Sequence, residues 1–475
     1  MQNLRYRTLV FQCTISPMQR KNWANTLGII FLLGLALSAL AWWRAPKAEF
    51  APPPGGTLLP TSPIVIRFNS DMQPQDVAAH LGLTPEHPVQ LAWEDARTLH
   101  ITPQTSWPAG ENLSITLQRG IAAQTWPHLR SHTTYHWQVA VSAPTLLYLW
   151  PARGAPANLY RLHLETGESE QLTDLPLGIT GYTASADGRW IYYTDTQGDI
   201  YRLNRLNAAS TLLVDCGEDV CSAPALSPDG KYLAWERTPT QGTPQTALPR
   251  VWYLPLEETA APQPIPAPDT YSRQPQWNSA NWLSVYLPNQ AQYFTWQPES
   301  GQTRTWTNDT GEPGTWLPDA SAFIAPAITL LPNGYMTSGG DFLDLPTSHL
   351  IRYALEETPP TDLSETIAVE DTAPVISPNG RLLAFARKFL APDQWTPGRQ
   401  VWLLTLDTGS AVPLTNAPLY NHTAFAWNPT GNALVYLRAN QDDFSQPPEL
   451  WLAYVDGRQP PLRLVVNAFA PQWIP

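Results

Sequence analysis

Few residues in this 475-residue chain are placed where they could do chemistry. Nine histidines are scattered without a ligand-like cluster. His132 and His136 stand four apart, but on a strand that spacing separates them by ~13 Å at ~3.3 Å per residue, too far for one metal ion. His163, His349 and His422 read as ordinary strand positions. Asp195-Thr-Gln-Gly-Asp199 has the outline of a calcium loop but too few oxygen donors for one, and reads as a hairpin turn. No Gly-x-Ser-x-Gly nucleophile elbow occurs. No catalytic, cofactor-binding or metal-ligating residue is therefore assigned, and no cofactor is expected. The one paired feature is Cys216-Gly-Glu-Asp-Val-Cys221. A metal site would need a second pair or nearby histidines, so a local disulfide in an oxidising compartment is the expected reading, with two free thiols as the alternative.

The elements that would position such residues follow from a repeated cassette. Ser185-Ala-Asp-Gly-Arg189, Ser227-Pro-Asp-Gly-Lys231, Ser377-Pro-Asn-Gly-Arg381 and Asn428-Pro-Thr-Gly-Asn432 each lead into an apolar strand with an aromatic five residues beyond the glycine: Tyr193, Trp235, Phe385 and Tyr436. An Asp-Gly or Asn-Gly pair can supply the positive φ angles of a hairpin turn, so each cassette should join two antiparallel strands. Two degraded copies surround Trp277 and Trp316, and in the second Ala320 replaces the glycine, which predicts an altered turn. A third strand follows each copy, as in Arg250–Leu254 and Gln400–Leu404. Strand repeats at about 40–50 residues point to a β-propeller. The last residues, Pro471-Gln-Trp-Ile-Pro475, begin a cassette without its second strand, while Thr145–Trp150 is a strand without a cassette. Joining the two predicts a seventh blade built from both termini, which removes two exposed sheet edges.

Composition agrees with an all-β protein with many turns. There are 27 glycines and 50 prolines, and only 14% of residues are charged. Residues 1–47 carry six basic groups and no acid, leaving 22 basic against 40 acidic groups beyond them, a net −18. Such a surface repels phosphate backbones, so nucleic acid is not an expected partner. Asn22–Trp43 is uncharged and long enough to cross a ~30 Å hydrocarbon core. Arg5, Arg7, Arg20 and Lys21 place the N-terminus in the cytoplasm. A cleaved signal peptide is the alternative, with Ala39-Leu-Ala41 as the processing site. Both readings export the rest.

The organisation expected is a cytoplasmic N-terminus (1–21), a transmembrane helix (22–43), a Pro/Gly-rich linker (44–61), a small β-sandwich (62–142) and a propeller (145–475). Alternating runs such as Ile64-Val-Ile-Arg-Phe68 and Leu113-Ser-Ile-Thr-Leu117 support the sandwich. Pro63–Met72, together with Trp93…Arg97–Pro103…Pro108–Leu117, resembles bacterial Ig-like domains of the S-layer type, which implies a spacer or adhesive module. The cassettes, above all Ser227-Pro-Asp-Gly-Lys-Tyr-Leu-Ala-Trp235, resemble the TolB-type, WD40-like propeller repeats of bacterial envelope proteins. Such propellers act as protein-docking platforms, as gates on prolyl-oligopeptidase-like peptidases and occasionally as lyases. The resemblance implies a non-enzymatic, single-pass membrane protein that presents a propeller to an envelope protein or cell-wall glycan. The alternative is a lyase or hydrolase of extracellular polysaccharide. Tryptophans outside the repeat (Trp107, Trp126, Trp306, Trp395) are the candidates for flat ligand contacts, and the binding residues are otherwise unknown.

Overall fold

A computed structural model of the chain describes residues 17–51, 57–58 and 62–474, apart from 105–106, 109, 165, 206, 244–246, 258–259, 337–341, 357 and 366. The basic N-terminal stretch with Arg5 and Arg7, and the linker residues Pro52–Gly56 and Pro60, lie outside the described residues. Two compact units divide at Val141/Ser142.

The first unit opens with helix α1, Pro17–Arg44. Its segment Thr26–Arg44 is long and apolar enough to cross a membrane, and a signal sequence would meet the same test. Two four-stranded sheets follow. One runs Ala48–Ala51, Ile64–Phe68, Thr98–Pro103, Val89–Asp95, and the other Thr57–Leu58, Tyr135–Val141, Asn112–Leu117, Leu81–Thr84. Period-two alternation sends Ile64, Ile66, Leu99 and Ile101 from one sheet, and Leu113, Ile115, Leu117 and Val139 from the other, into a common core. The span expected to be a linker contributes strands to both sheets. Ala48–Ala51 pairs antiparallel with Val65–Phe68, and Thr57–Leu58 pairs parallel with Ala140–Val141. The cause is apolar spacing hidden among the prolines: Ala48 and Leu58 are buried, and Phe50 stacks on Trp137.

Among the described residues of the second unit, the strands fall into seven groups of four, each group antiparallel within itself; two of the groups merge into one eight-stranded sheet through a parallel bridge, Ser348 to Glu370. The last strand, Phe469–Ile474, runs antiparallel to the first, Thr145–Trp150, with Trp473 opposite Leu146. Hydrophobic clusters join successive groups. Leu233 and Trp235 pack with Tyr192 and Ile200 of the group before, and Phe385 with Ile324 and Leu350. One further cluster unites Leu146 and Tyr148 of the first group with Val435 and Leu450 of the last.

The cassettes work through side-chain hydrogen bonds. Only their glycines take positive φ, 64° at Gly188 and 73° at Gly230 and Gly380, while the residue before each glycine does not. That residue instead caps the turn. Ser227 Oγ donates to Asp229 Oδ1 (2.7 Å), which also accepts the Lys231 amide, and Ser227 Oγ accepts the Tyr232 amide (2.9 Å). Ser377 with Asn379 repeats the pattern. The turn expected to change at Ala320 keeps its form. Ala320 adopts φ +59° and donates its amide to the Leu317 carbonyl, as Gly230 does to Ser227. The surrounding ladder imposes a left-handed conformation that alanine tolerates at some cost.

Candidate functional site

In the groups whose first two strands are consecutive in sequence, those strands meet at the cassette turn, so the second strand ends at the opposite face. There an arginine recurs two residues beyond the cassette aromatic: Arg237, Arg387 and Arg438. Each meets a carboxylate, with Arg237 Nε 2.7 Å from Asp219 Oδ2 and Arg438 Nη2 2.9 Å from Glu449 Oε2. Arg387 makes the strongest pairing, a two-pronged contact with the fully buried Asp371 at 2.7 and 2.6 Å. Its guanidinium also lies over the Phe385 and Trp402 rings. Charge-assisted forks of this kind fix geometry as well as contributing energy.

Asp371 is the centre of a buried polar cluster. Ser364 Oγ donates to Asp371 Oδ2 (2.6 Å) and Ser348 Oγ to its carbonyl (3.0 Å). The neighbouring His349 is buried; its Nδ1 lies 2.7 Å from Asp362 Oδ2 and its Nε2 lies 3.0 Å from the Ile367 carbonyl. Both partners can only accept, so both ring nitrogens donate and the imidazolium is favoured. Burial opposes that charge, but the Asp362 hydrogen bond and charge outweigh it and raise the His349 pKa. A raised histidine pKa contributes stability below about pH 6.5 that is lost as pH climbs through the folded-state value. With neither nitrogen free, His349 cannot serve as a general base. His422 is the opposite case. It is fully buried, donates from Nδ1 to the Arg399 carbonyl (2.7 Å), and burial pushes its pKa down to about 4. Nearby, Arg399 pairs with Glu370 at 2.6 Å, and burial raises the Glu312 pKa against the pull of Arg399.

This cluster forms the root of a projecting hairpin. Strands Ala322–Met336 and Phe342–Ala354 pair from Ala322↔Ala354 out to Met336↔Phe342. Comparable second strands, Tyr232–Thr238 and Leu382–Phe389, are 7 and 8 residues long against 15 here. The excess extends the arm by roughly 25 Å at ~3.3 Å per residue. Ile328, Leu330 and Leu343 on the arm are 51%, 57% and 52% exposed. Beyond the root, no strand among the described residues pairs with the arm's outer edges. Thr347 Oγ1 to the Thr329 carbonyl and Ser348 Oγ to the Asp371 carbonyl tie its base down.

A concavity of about 280 Å³ is lined by Pro224, Glu236, Gln274, Gln276 and Tyr293. Its floor is shaped by a bulge that recurs four residues before the cassette position. Ala223, Gln274, Ala373 and Ala424 all have φ between +49° and +58°, each followed by proline or phenylalanine. Glu236 Oε1 accepts the Gln274 amide at 2.7 Å, so this carboxylate serves the bulge.

Cys216 and Cys221 are bonded to each other and buried, closing the loop between the second and third strand groups, and the Cys216 amide donates to Asp199 Oδ1. Asp195 Oδ1 accepts the amides of Gln197 and Asp199, so both carboxylates of that loop are engaged in the turn. His136 lies on a strand and bonds Thr116, while His132 precedes that strand. Of the tryptophans outside the repeat, Trp107 is buried and donates to the Ser62 carbonyl, and Trp306 packs against Trp316 and Phe323. Trp395 (52%) and Trp126 (86%) are exposed. Three residue sets lie outside the motifs read from the sequence: the recurrent arginine, the bulge and the long arm. Each leaves a trace, respectively aromatic-x-Arg, an Ala-Pro or Gln-Pro pair ahead of most cassettes, and the 33 residues from Leu317 to His349 against 24 from Ser227 to Arg250.

The strand groups and their mutual packing define the second unit as a β-propeller. No family model and no curated protein matches the sequence. Solved structures are similar at low identity. TolB from Acinetobacter baumannii is 14% identical, with 84% of each chain covered and a TM-score of 0.43. Oligogalacturonate lyase from Vibrio parahaemolyticus is 16% identical, covering 66% of this chain and 86% of that one, with a TM-score of 0.49. A chain from a study of two prolyl endopeptidases is 12% identical over 75% of this chain but 48% of its own length, with a TM-score of 0.47.

Proposed function

We propose that the chain is a non-enzymatic, single-pass membrane protein with its N-terminus in the cytoplasm, in which an S-layer-type Ig-like module carries a seven-bladed propeller closed by both termini. The propeller binds a protein of the cell envelope. Closure is supported by the pairing of Phe469–Ile474 with Thr145–Trp150 and by the cluster joining the first and last strand groups. The observation that carries the binding role is the arm. It offers aliphatic side chains and unpaired strand edges, which suit an extended protein segment added as a further strand better than a glycan. Its root favours a scaffold over catalysis, because Asp371, Arg387 and His349 are committed to one another, to the side chains of Ser364 and Asp362, or to main-chain groups.

The test is site-specific photo-crosslinking in intact cells from Leu330 and Leu343, with the equally exposed Leu212 on an outer strand as control. A discrete protein adduct from both arm positions and none from Leu212 is expected. Adducts indifferent to position, or retention of a purified wall glycan by wild-type and arm-deleted protein alike, would reject the protein reading. Turnover of an extracellular polysaccharide by the purified protein would establish the lyase or hydrolase alternative.

A further inference from the structure

The helix and the sandwich meet without slack. After Arg44 only Ala45, Pro46 and Lys47 precede the edge strand that begins at Ala48. Ala45 is buried, and its amide still donates to the Trp42 carbonyl. Asn69 holds the junction from the sandwich side: its Oδ1 accepts the Lys47 amide at 2.7 Å, its Nδ2 donates to the Ala45 carbonyl, and its own amide donates to the Lys47 carbonyl. A helix joined this way cannot swing freely from the domain that follows.

The loop Gln124–His128 lies at this same end of the sandwich. It is exposed throughout and is fixed through Gln124, whose amide donates to the Asp71 carbonyl. Trp126 at its tip is 86% exposed, the largest value among the exposed apolar side chains of the described residues. A cleft of about 580 Å³ separates this loop from the helix end and is lined by Trp43, Arg44, Lys47, Ser70, Thr125 and Trp126. Arg44 and Lys47 are exposed, and the carboxylate of adjacent Asp71 is taken by Arg97 at 2.6 Å. Two indoles and two cations therefore border one cleft at the level where α1 leaves its apolar span.

We propose that this end of the sandwich is a phospholipid-binding surface, with Trp126 seated among the headgroups beside Trp43 and with Arg44 and Lys47 against lipid phosphates. The inference rests on α1 being a retained anchor. Amphipathic indoles collect at the bilayer interface, which accounts for a large ring left in the open on a soluble module. The consequence is a module seated on the membrane instead of one lifted off it by a linker.

The experiment uses the full chain with Cys13→Ser, reconstituted in nanodiscs of phosphatidylcholine and phosphatidylglycerol. An environment-sensitive fluorophore is placed at Thr125→Cys, at Leu33→Cys within α1, or at Glu86→Cys on the turn at the far end of the sandwich. Nitroxide lipids labelled at the headgroup or deep in the acyl chain are the quenchers. Thr125 should be quenched by the headgroup nitroxide, Leu33 by the deep one and Glu86 by neither. Adding Trp126→Ser should reduce the quenching at Thr125 and leave Leu33 unchanged. If Leu33 is quenched while Thr125 behaves like Glu86, the anchor stands and the lipid surface is refuted. If Leu33 and Thr125 both stay unquenched, the anchor reading fails and takes the inference with it.

Discussion

Removing the last strand is the sharpest test of how the propeller is held together. A chain ending at Asn467 loses the pairings of Phe469, Gln472, Trp473 and Ile474 with Leu149, Leu147, Leu146 and Thr145. It also loses the buried Ala468 and Ile474, the Trp473 indole bond to the Ala426 carbonyl (3.1 Å), and the acceptor for the Tyr182 hydroxyl at the Ala470 carbonyl (2.6 Å). Truncating a buried isoleucine costs ~2–5 kcal/mol, and each lost hydrogen bond ~0.5–1.5 kcal/mol. Together these reach at least about 5 kcal/mol, comparable with the whole stability of a modest domain at ~5–15 kcal/mol. The truncated chain should therefore unfold at much lower urea concentration or aggregate through the exposed edge of Thr145–Trp150. A synthetic peptide covering residues 468–475 should restore the transition in proportion to its concentration, because it binds only the folded state. An unchanged urea midpoint would refute the closure argument. So would loss of stability that the peptide cannot repair, since the effect would then not come from the missing strand.

The remaining predictions concern single groups. His422 is neutral when folded, with a pKa of about 4 against an ordinary value near 6.5, so the unfolded chain takes up a proton that the native chain refuses between those limits. Stability should fall by about 3 kcal/mol as pH drops from 7 to 4, and His422→Gln should flatten that slope in urea titrations; a slope unchanged by the substitution would contradict the assignment. Mass spectrometry of protein from the oxidising compartment, without reduction, should find Cys216 linked to Cys221, and free thiols at both positions would count against it.

What the sequence revealed and what it concealed divide along a physical line. The cassette is legible because every bond that builds it lies within five residues, from Ser227 Oγ to the Tyr232 amide, so its chemistry is spelled out locally. Its tolerance is less visible, since Ala320 shows that the ladder can enforce the turn without glycine. The polar cluster was hidden for the opposite reason. His349, Asp362, Ser364, Asp371 and Arg387 come from several strands and loops spread over 39 positions, and no spacing rule announces that they converge. In the sequence His349 has the pattern of a plain strand residue, and nothing in its neighbours distinguishes it from one. The arm was concealed because its apolar residues look like more of the same strand pattern. Only the length of the interval before His349 betrays an insertion.

That division bears on where function resides in this fold. At the cassette end, the turns opened by Ser185, Ser227 and Ser377 repeat the same side-chain hydrogen bonds from group to group, so that these three turns differ little from one another. At the other end one arginine position is reused, but its acid differs each time. Asp219 lies on the disulfide-closed loop, Asp371 on the inner strand of its own group, and Glu449 on the third strand. Breaking the buried pair by removing one partner would cost ~3–5 kcal/mol, far more than an exposed pair, so the Asp371–Arg387 contact fixes the base of the arm in a way the other two cannot. Among the described residues, the exposed apolar arm Ala322–Ala354 and the buried Asp371–Arg387 pair of the following group meet at that end, linked by the Ser348 bond to the Asp371 carbonyl. The envelope partner proposed above would therefore be read at that end.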